Sequence, residues 1–218
     1  GVVIMVLFPG LMGLSTGTVA MVARATGARQ TEAAGAAAAQ SLIMACVLGL
    51  IMALAGWMPA EALLRLLGAG PDAIAAGSIY LKISLLGSVT VFILFIGNAA
   101  LQGAGDTLTP MYIMAASNVL NMVLDPLFIF GLGVLPPMGV AGAAVATVLS
   151  QALAAGMLLK VLLNGRGRLH LRRRCWKPDL ELAWRIVRIG IPGSGQMLSR
   201  SLMGAVIMRI VAQYGTTA

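Results

Sequence analysis

Six long, mostly apolar runs divide the chain, at about 1–23, 33–57, 73–101, 109–130, 139–163 and 191–213. A helix needs roughly 20 such residues to cross the hydrocarbon core of a bilayer. In lipid every backbone N–H and C=O must be bonded within the protein, which leaves helices or closed barrels, and runs this long exclude barrel strands of about ten residues. The residues are 59% hydrophobic and 10% charged, whereas soluble domains carry about 25% charged residues. The expected fold is therefore all-α, a polytopic transmembrane helix bundle. The chain begins inside one apolar run and stops just after another, so it is expected to be incomplete at both ends, with the remainder of its own chain missing.

Small residues set the packing, because helices in lipid associate by close backbone approach and interhelical hydrogen bonds. Gly13 and Gly17 form a small-xxx-small pair, and Ser15, Thr16 and Thr18 are placed to bond across helices. Gly139 and Gly142 offer a second close-packing point. Residues 60–70, with Glu61 and Arg65 one turn apart, read as a short amphipathic surface helix. In the connection QGAGDTLTP, Thr109 reads as an N-cap with Pro110 at the first helical position, and Asp106 as a turn or capping group. After 163 the run NGRGRLHLRRRCWKP is the most basic part of the chain. It leads into DLELAWRIVR, where Leu180, Ala183, Trp184 and Val187 stripe one face opposite Glu181, Arg185 and Arg188, the pattern of an interfacial helix.

The net charge of +8 is concentrated in loops that alternating spans place on one side. The loop with Arg24 and Arg29 and the loop from Arg166 to Lys177 are then cytoplasmic by the positive-inside rule. Trp57, Tyr80 and Tyr214 fall at the expected outer boundaries, and Tyr112, Trp176 and Trp184 at the inner ones. Membrane orientation and contact with anionic lipid account for the basic loop without nucleic acid. Cys46 and Cys175 give neither a disulfide framework nor metal spacing, and His170 is the one histidine. GDT has no partner acids and GIPGSG lacks a phosphate-loop lysine, so no enzyme signature is present and no cofactor is expected.

The chemistry concentrates in SNVLNMVLDP. Asn118, Asn121 and Asp125 are spaced three and four apart, on one helical face. A carboxylate inside an apolar span costs roughly 2.5–3.5 kcal/mol on insertion scales, so it normally faces a cavity or a partner. Asp125 and Asn121 offer hard oxygens suited to Na⁺, and the carboxylate can alternatively hold a proton. The plainer reading is that Asp125, in the outer third of its helix, reaches interfacial water. Thr147, one turn after Ala143, supplies a hydroxyl if its helix packs on this face; otherwise it bonds back to its own helix. Asn98 and Gln102 either line a path or join helices. Arg200, with Gln196 one turn earlier, either faces the cavity or clamps carbonyl groups.

Four stretches carry a resemblance: GLSTGTVAMVARATGA, NAALQGAGDTLTP, SNVLNMVLDPLFIFGLGVLPPMGVAGAAVATVLSQ and IGIPGSGQMLSRSLM. Together they make the chain similar to multidrug and toxic compound extrusion (MATE) transporters, closest to the bacterial DinF-like type. The resemblance implies a twelve-helix antiporter of two six-helix lobes, exporting cationic or amphipathic small molecules in exchange for Na⁺ or H⁺ across the bacterial inner membrane. On that scheme residues 1–163 hold most of the first lobe, 164–190 the basic inter-lobe loop with its interfacial helix, and 191–218 the first helix of the second lobe. It implies a coupling-cation site of Asp125, Asn121, Thr147 and Ala143, with sodium on Asp125 and Asn121 if the coupling ion is Na⁺. Asn118, Asn98, Gln102, Gln196 and Arg200 would line the cavity. The family site also uses an Asp from a helix before Gly1, and some members carry a Glu where this chain has Arg200. The alternatives are a related flippase for lipid-linked saccharides and a non-transporting membrane scaffold.

Overall fold

The computed structural model describes residues 2–55, 71–131, 136–164, 169, 171 and 173–213, with the side chains of 2–9, 55, 71–76, 173, 174, 200–202 and 205–213 outside the description. The predicted surface helix at 60–70, Trp57, His170, Tyr214 and the Arg200 side chain therefore lie outside the described residues. Among the described residues there is helix and no strand, as the length of the apolar runs requires. The helices are α1 (Val2–Gly27), α2 (Thr31–Ala55), α3 (Pro71–Leu86), α4 (Ser88–Gly103), α5 (Leu108–Phe130), α6 (Val140–Asn164) and α7 (Leu180–Gln213), with a 3₁₀ turn at Arg173–Trp176 before α7.

Buried alanines from α2 meet Val22 of α1, Leu94 and Leu101 of α4 and Leu158 and Leu162 of α6 in the main core. Small side chains there let the backbones approach closely, so packing contacts rather than bulky interdigitation hold the helices. Leu169 and Leu171, from the segment after α6, are buried in the same core, and the Leu171 N–H donates to the carbonyl of Leu162 at 3.2 Å. These two leucines are thus seated on the bundle.

Three local expectations change. The third apolar run is two helices, bent by 51° between α3 and α4. Gly87 sits at the bend, and a Cβ there would meet the side chain of Val148 on α6. Ser88 holds the break: its hydroxyl lies 2.6 Å from the carbonyl of Leu85 and 2.9 Å from that of Gly49 on α2. The interfacial helix and the last span are one 34-residue helix, α7, so the division at 190/191 falls inside it. Near its start Ile186 is buried with Leu182 beside it, while Leu180 and Trp184 of the expected stripe are 84% and 62% exposed, on the side an interfacial helix would turn to lipid.

The third change is at the start of α5. Asp106, not Thr109, is the capping acceptor: its carboxylate takes the Thr109 N–H at 3.0 Å and the Thr109 hydroxyl at 2.7 Å. The helix begins two residues earlier than expected, at Leu108, with Pro110 in the first turn and buried. Asp106→Ala is expected to cost about 1 kcal/mol, read as a lowered thermal midpoint of the detergent-solubilised full-length protein.

Gly13 and Gly17 do form a close crossing, and their partner is α7. A Cβ on Gly13 would lie 2.8 Å from the Gly190 carbonyl oxygen, and one on Gly17 would collide with the Ile186 carbonyl. The nearby hydroxyls turn inward instead of bridging. Thr16 donates to Met12 O at 2.9 Å and Thr18 to Leu14 O at 2.7 Å, both within α1. Gly142 packs against the backbone of Phe128, whereas Gly139 takes φ +55° in the turn before α6 and has open space around it.

Candidate coupling site on α5 and α6

α5 continues through Pro126 and ends at Gly131, whose φ of 69° and ψ of 60° form a left-handed C-cap, with its N–H bonded to Leu127 O. A proline inside a helix removes one ladder bond and crowds the carbonyl four residues back, here that of Met122, in the turn between Asn121 and Asp125. The Asn121 amide Nδ2 donates to Asp125 Oδ1 at 3.3 Å. Both side chains are half-buried, while Met122 beside them is 78% exposed. The carboxylate is therefore turned to the sheltered side of its helix and held by the amide. Asn118, one turn before Asn121, is exposed.

α6 lies antiparallel against α5. The Ser117 hydroxyl donates to Ser150 O at 3.2 Å, and Gly142 approaches Phe128 at the other end. Between these two contacts the register puts Asn121 level with Thr147, and Asp125 level with Ala143 and Ala144. Thr147 donates to Ala143 O at 2.8 Å, which fixes its hydroxyl proton and leaves its oxygen lone pairs free to accept. The four residues thus form two bonded pairs at matching heights on neighbouring helices. Among the described residues no hydrogen bond joins one pair to the other. What they can offer chemically is one carboxylate, one amide oxygen and one hydroxyl oxygen, all hard ligands for a small cation, with the carboxylate also able to take a proton.

The other expected lining residues are spread out. Asn98 lies on α4 beside Gly97, where a Cβ would collide with Leu158 of α6. Its Oδ1 is buried and has no hydrogen-bond partner among the described residues. Gln102 is exposed at the end of α4. Gln196 is exposed on α7, which packs on α1 and α2 and, among the described residues, touches neither α5 nor α6. The sequence reading passed over Gln40. It is 4% exposed within the alanine-rich α2, and its side-chain oxygen accepts the Asp179 N–H at 3.1 Å. The available signal was an amide set among alanines in an apolar run.

Several helices long and apolar enough to cross a bilayer, packed through small residues, are the build of a multi-pass membrane protein. Residues 2–127 match the family model described as MatE, and the chain belongs to this family, MATE, which consists of transporters rather than enzymes. It is 32% identical over 213 residues to the probable multidrug resistance protein YoeA of Bacillus subtilis (strain 168), covering 95% of this chain and 45% of that protein. A crystal structure described as MATE in the straight conformation superimposes with a TM-score of 0.84 at 30% identity, over 98% of this chain and 48% of that one. A MOP superfamily transporter from Pyrococcus furiosus matches with a TM-score of 0.78 at 31% identity, over 91% of this chain and 44% of that one. It is described as having a binding pocket of reverse polarity that suggests a different function. The chain spans about half the length of these relatives.

Proposed function

We propose that the full-length protein is a secondary antiporter of the bacterial inner membrane, exporting cationic or amphipathic compounds in exchange for Na⁺ or H⁺. The observation that carries this reading is the Asn121–Asp125 hydrogen bond inside the apolar α5. An intramembrane carboxylate marks an ion or substrate path by default, and here it is oriented by an amide and levelled with a second polar pair on α6. Asp125 would bind the coupling cation or proton, Asn121 would orient the carboxylate and add its amide oxygen, and Thr147 would add a hydroxyl oxygen. Ala143 would hold that hydroxyl through its carbonyl. Exchange follows if cation and exported compound prefer different conformations, because a ligand shifts an equilibrium only by its differential affinity. No cofactor takes part. The loop from Arg166 to Lys177 would lie on the cytoplasmic side against anionic headgroups.

The test is dye efflux by the full-length protein in proteoliposomes under an imposed Na⁺ or proton gradient. Efflux of a fluorescent cation is expected to rise several-fold under one of the two gradients. An efflux rate indifferent to both would overturn the antiport reading.

A second reading is transport of a lipid-linked saccharide, for which Arg200 inside the last apolar run would supply a cation to the cavity. It predicts that such a lipid, and not a cationic dye, responds to the gradient.

A further inference from the structure

We infer that the cleft where the end of α1, the start of α2 and the first turns of α7 meet is a headgroup site for an anionic phospholipid. The inference rests on the chain's setting in a membrane and is independent of the coupling site. The cleft has a volume of about 460 Å³, with Ala33, Ala37 and Leu182 among its apolar walls and Arg24, Gln30 and Arg185 among its polar ones. A second cleft of about 470 Å³ adjoins it, sharing Ala36 and Leu182 and adding Lys177.

The carboxylates beside the clefts, Asp179, Glu181 and Glu32, each already have a partner. Asp179 is spent as the cap of α7, its Oδ1 accepting the N–H groups of Glu181 at 2.9 Å and Leu182 at 3.0 Å. Glu181 is paired with one guanidinium nitrogen of Arg185 at 2.6 Å, which leaves that guanidinium further donors. Glu32, which opens α2 nearby, is already engaged. Among the described residues no carboxylate lies within ion-pair distance of Arg24. Arg24 stands in the last turn of α1, where a cation complements the helix dipole. The helix dipole accounts for Arg24 and Glu181 for one nitrogen of Arg185, and both guanidinium groups line the same alanine-walled cleft. Guanidinium groups match phosphate oxygens with paired N–H donors.

The floor selects a lipid over a free anion. A soluble phosphate gains nothing from alanine and leucine walls, whereas a glycerol backbone lies against them. Leu180 and Trp184, exposed on the same turns of α7, carry the apolar surface outward along the route an acyl chain would take. Because α1 and α2 form one wall and α7 the other, the bound lipid would tie them together.

The experiment is native mass spectrometry of the full-length protein titrated with dioleoyl phosphatidylglycerol or dioleoyl phosphatidylcholine. The wild type is expected to retain phosphatidylglycerol preferentially, and millimolar inorganic phosphate should not displace it. A basic residue near an anionic surface is worth about a fivefold affinity change, so Arg24→Gln with Arg185→Gln should weaken retention at least tenfold, and the Arg→Lys pair much less. Ala33→Leu narrows the exposed mouth of the cleft without altering charge and should weaken retention in a protein that still folds. Unchanged retention in Ala33→Leu would show that binding is diffuse, and displacement by phosphate would show a free-anion site. Either result overturns the assignment.

Discussion

Asp125→Asn is expected to bring gradient-driven efflux of a cationic dye down to the level of protein-free liposomes while the full-length protein still inserts and elutes as a single species. The substitution keeps the shape of the side chain and removes its charge. The new amide oxygen still accepts the Asn121 amide that lies 3.3 Å from the carboxylate, so the local geometry of α5 survives. Insertion itself becomes easier, since a neutral amide in a span costs less than a carboxylate. What is lost is the ionic contact to a bound cation. A charge-assisted contact of up to about 3 kcal/mol corresponds to roughly a hundredfold in affinity. Proton coupling is removed entirely, because an amide does not titrate. Asn121→Ala should fall between this variant and wild type, since it leaves the charge and frees its orientation. Preserved efflux in Asp125→Asn would refute the assignment, and a misfolded Asp125→Asn would leave Asn121→Ala to decide it through the apparent affinity for the driving ion.

Gly17→Leu should prevent assembly of a stable bundle. A Cβ at Gly17 collides with the carbonyl of Ile186, and the neighbouring Gly13 and Gly190 each present their backbone to the other. These obstacles are main chain, which has no rotamer to turn aside, so α1 and α7 would have to separate along the whole crossing. Overpacking typically costs 1–3 kcal/mol even where side chains can shift, and a backbone clash sits at or above the top of that range. Total stability is about 5–15 kcal/mol for ordinary domains, so the effect should appear as loss of monodisperse protein in detergent and a sharply lower thermal midpoint. Gly156→Ala is the matched control. It lies mid-helix in α6 with nothing within 4 Å of the added carbon, and should stabilise by roughly 0.5–1 kcal/mol because alanine is the better helix former. Equal behaviour of the two variants would remove the crossing from its structural role.

Much of this was legible in the sequence because membrane physics leaves few choices. Apolar length alone dictated helices, and the four-residue spacing of Gly13 and Gly17 announced a crossing. What spacing cannot supply is the partner: nothing local to GLSTGTV indicates α7, which begins at Leu180. The bend at Gly87 was hidden for a related reason. A glycine in an apolar run looks like packing, and only Ser88 reaching Gly49 of α2 makes it a break. Asn121 and Asp125 were readable as a pair because one helical turn joins them. Their height against Thr147 depends on the α5–α6 register, fixed by the contacts of Ser117 and Gly142, which are ordinary small residues in the sequence. Thr16 and Thr18 misled because a hydroxyl in lipid can always satisfy itself on its own helix.

The unbroken run of α7 has a mechanical meaning. Thirty-four residues at a rise of about 1.5 Å each make a shaft roughly 51 Å long, well beyond the ~30 Å thickness of a bilayer's hydrocarbon core. Its tight crossing with α1 at Gly190 divides that shaft into a short arm of about 15 Å and a long arm of about 35 Å. Turning about Gly190 as fulcrum, a tilt of about 10° would carry the near end sideways by under 3 Å and the far end by about 6 Å. Pro192, two residues beyond that fulcrum, removes one bond from the helix ladder, so a displacement at Leu180, where Gln40 grips the preceding residue, is divided between swinging the long arm and bending at the proline.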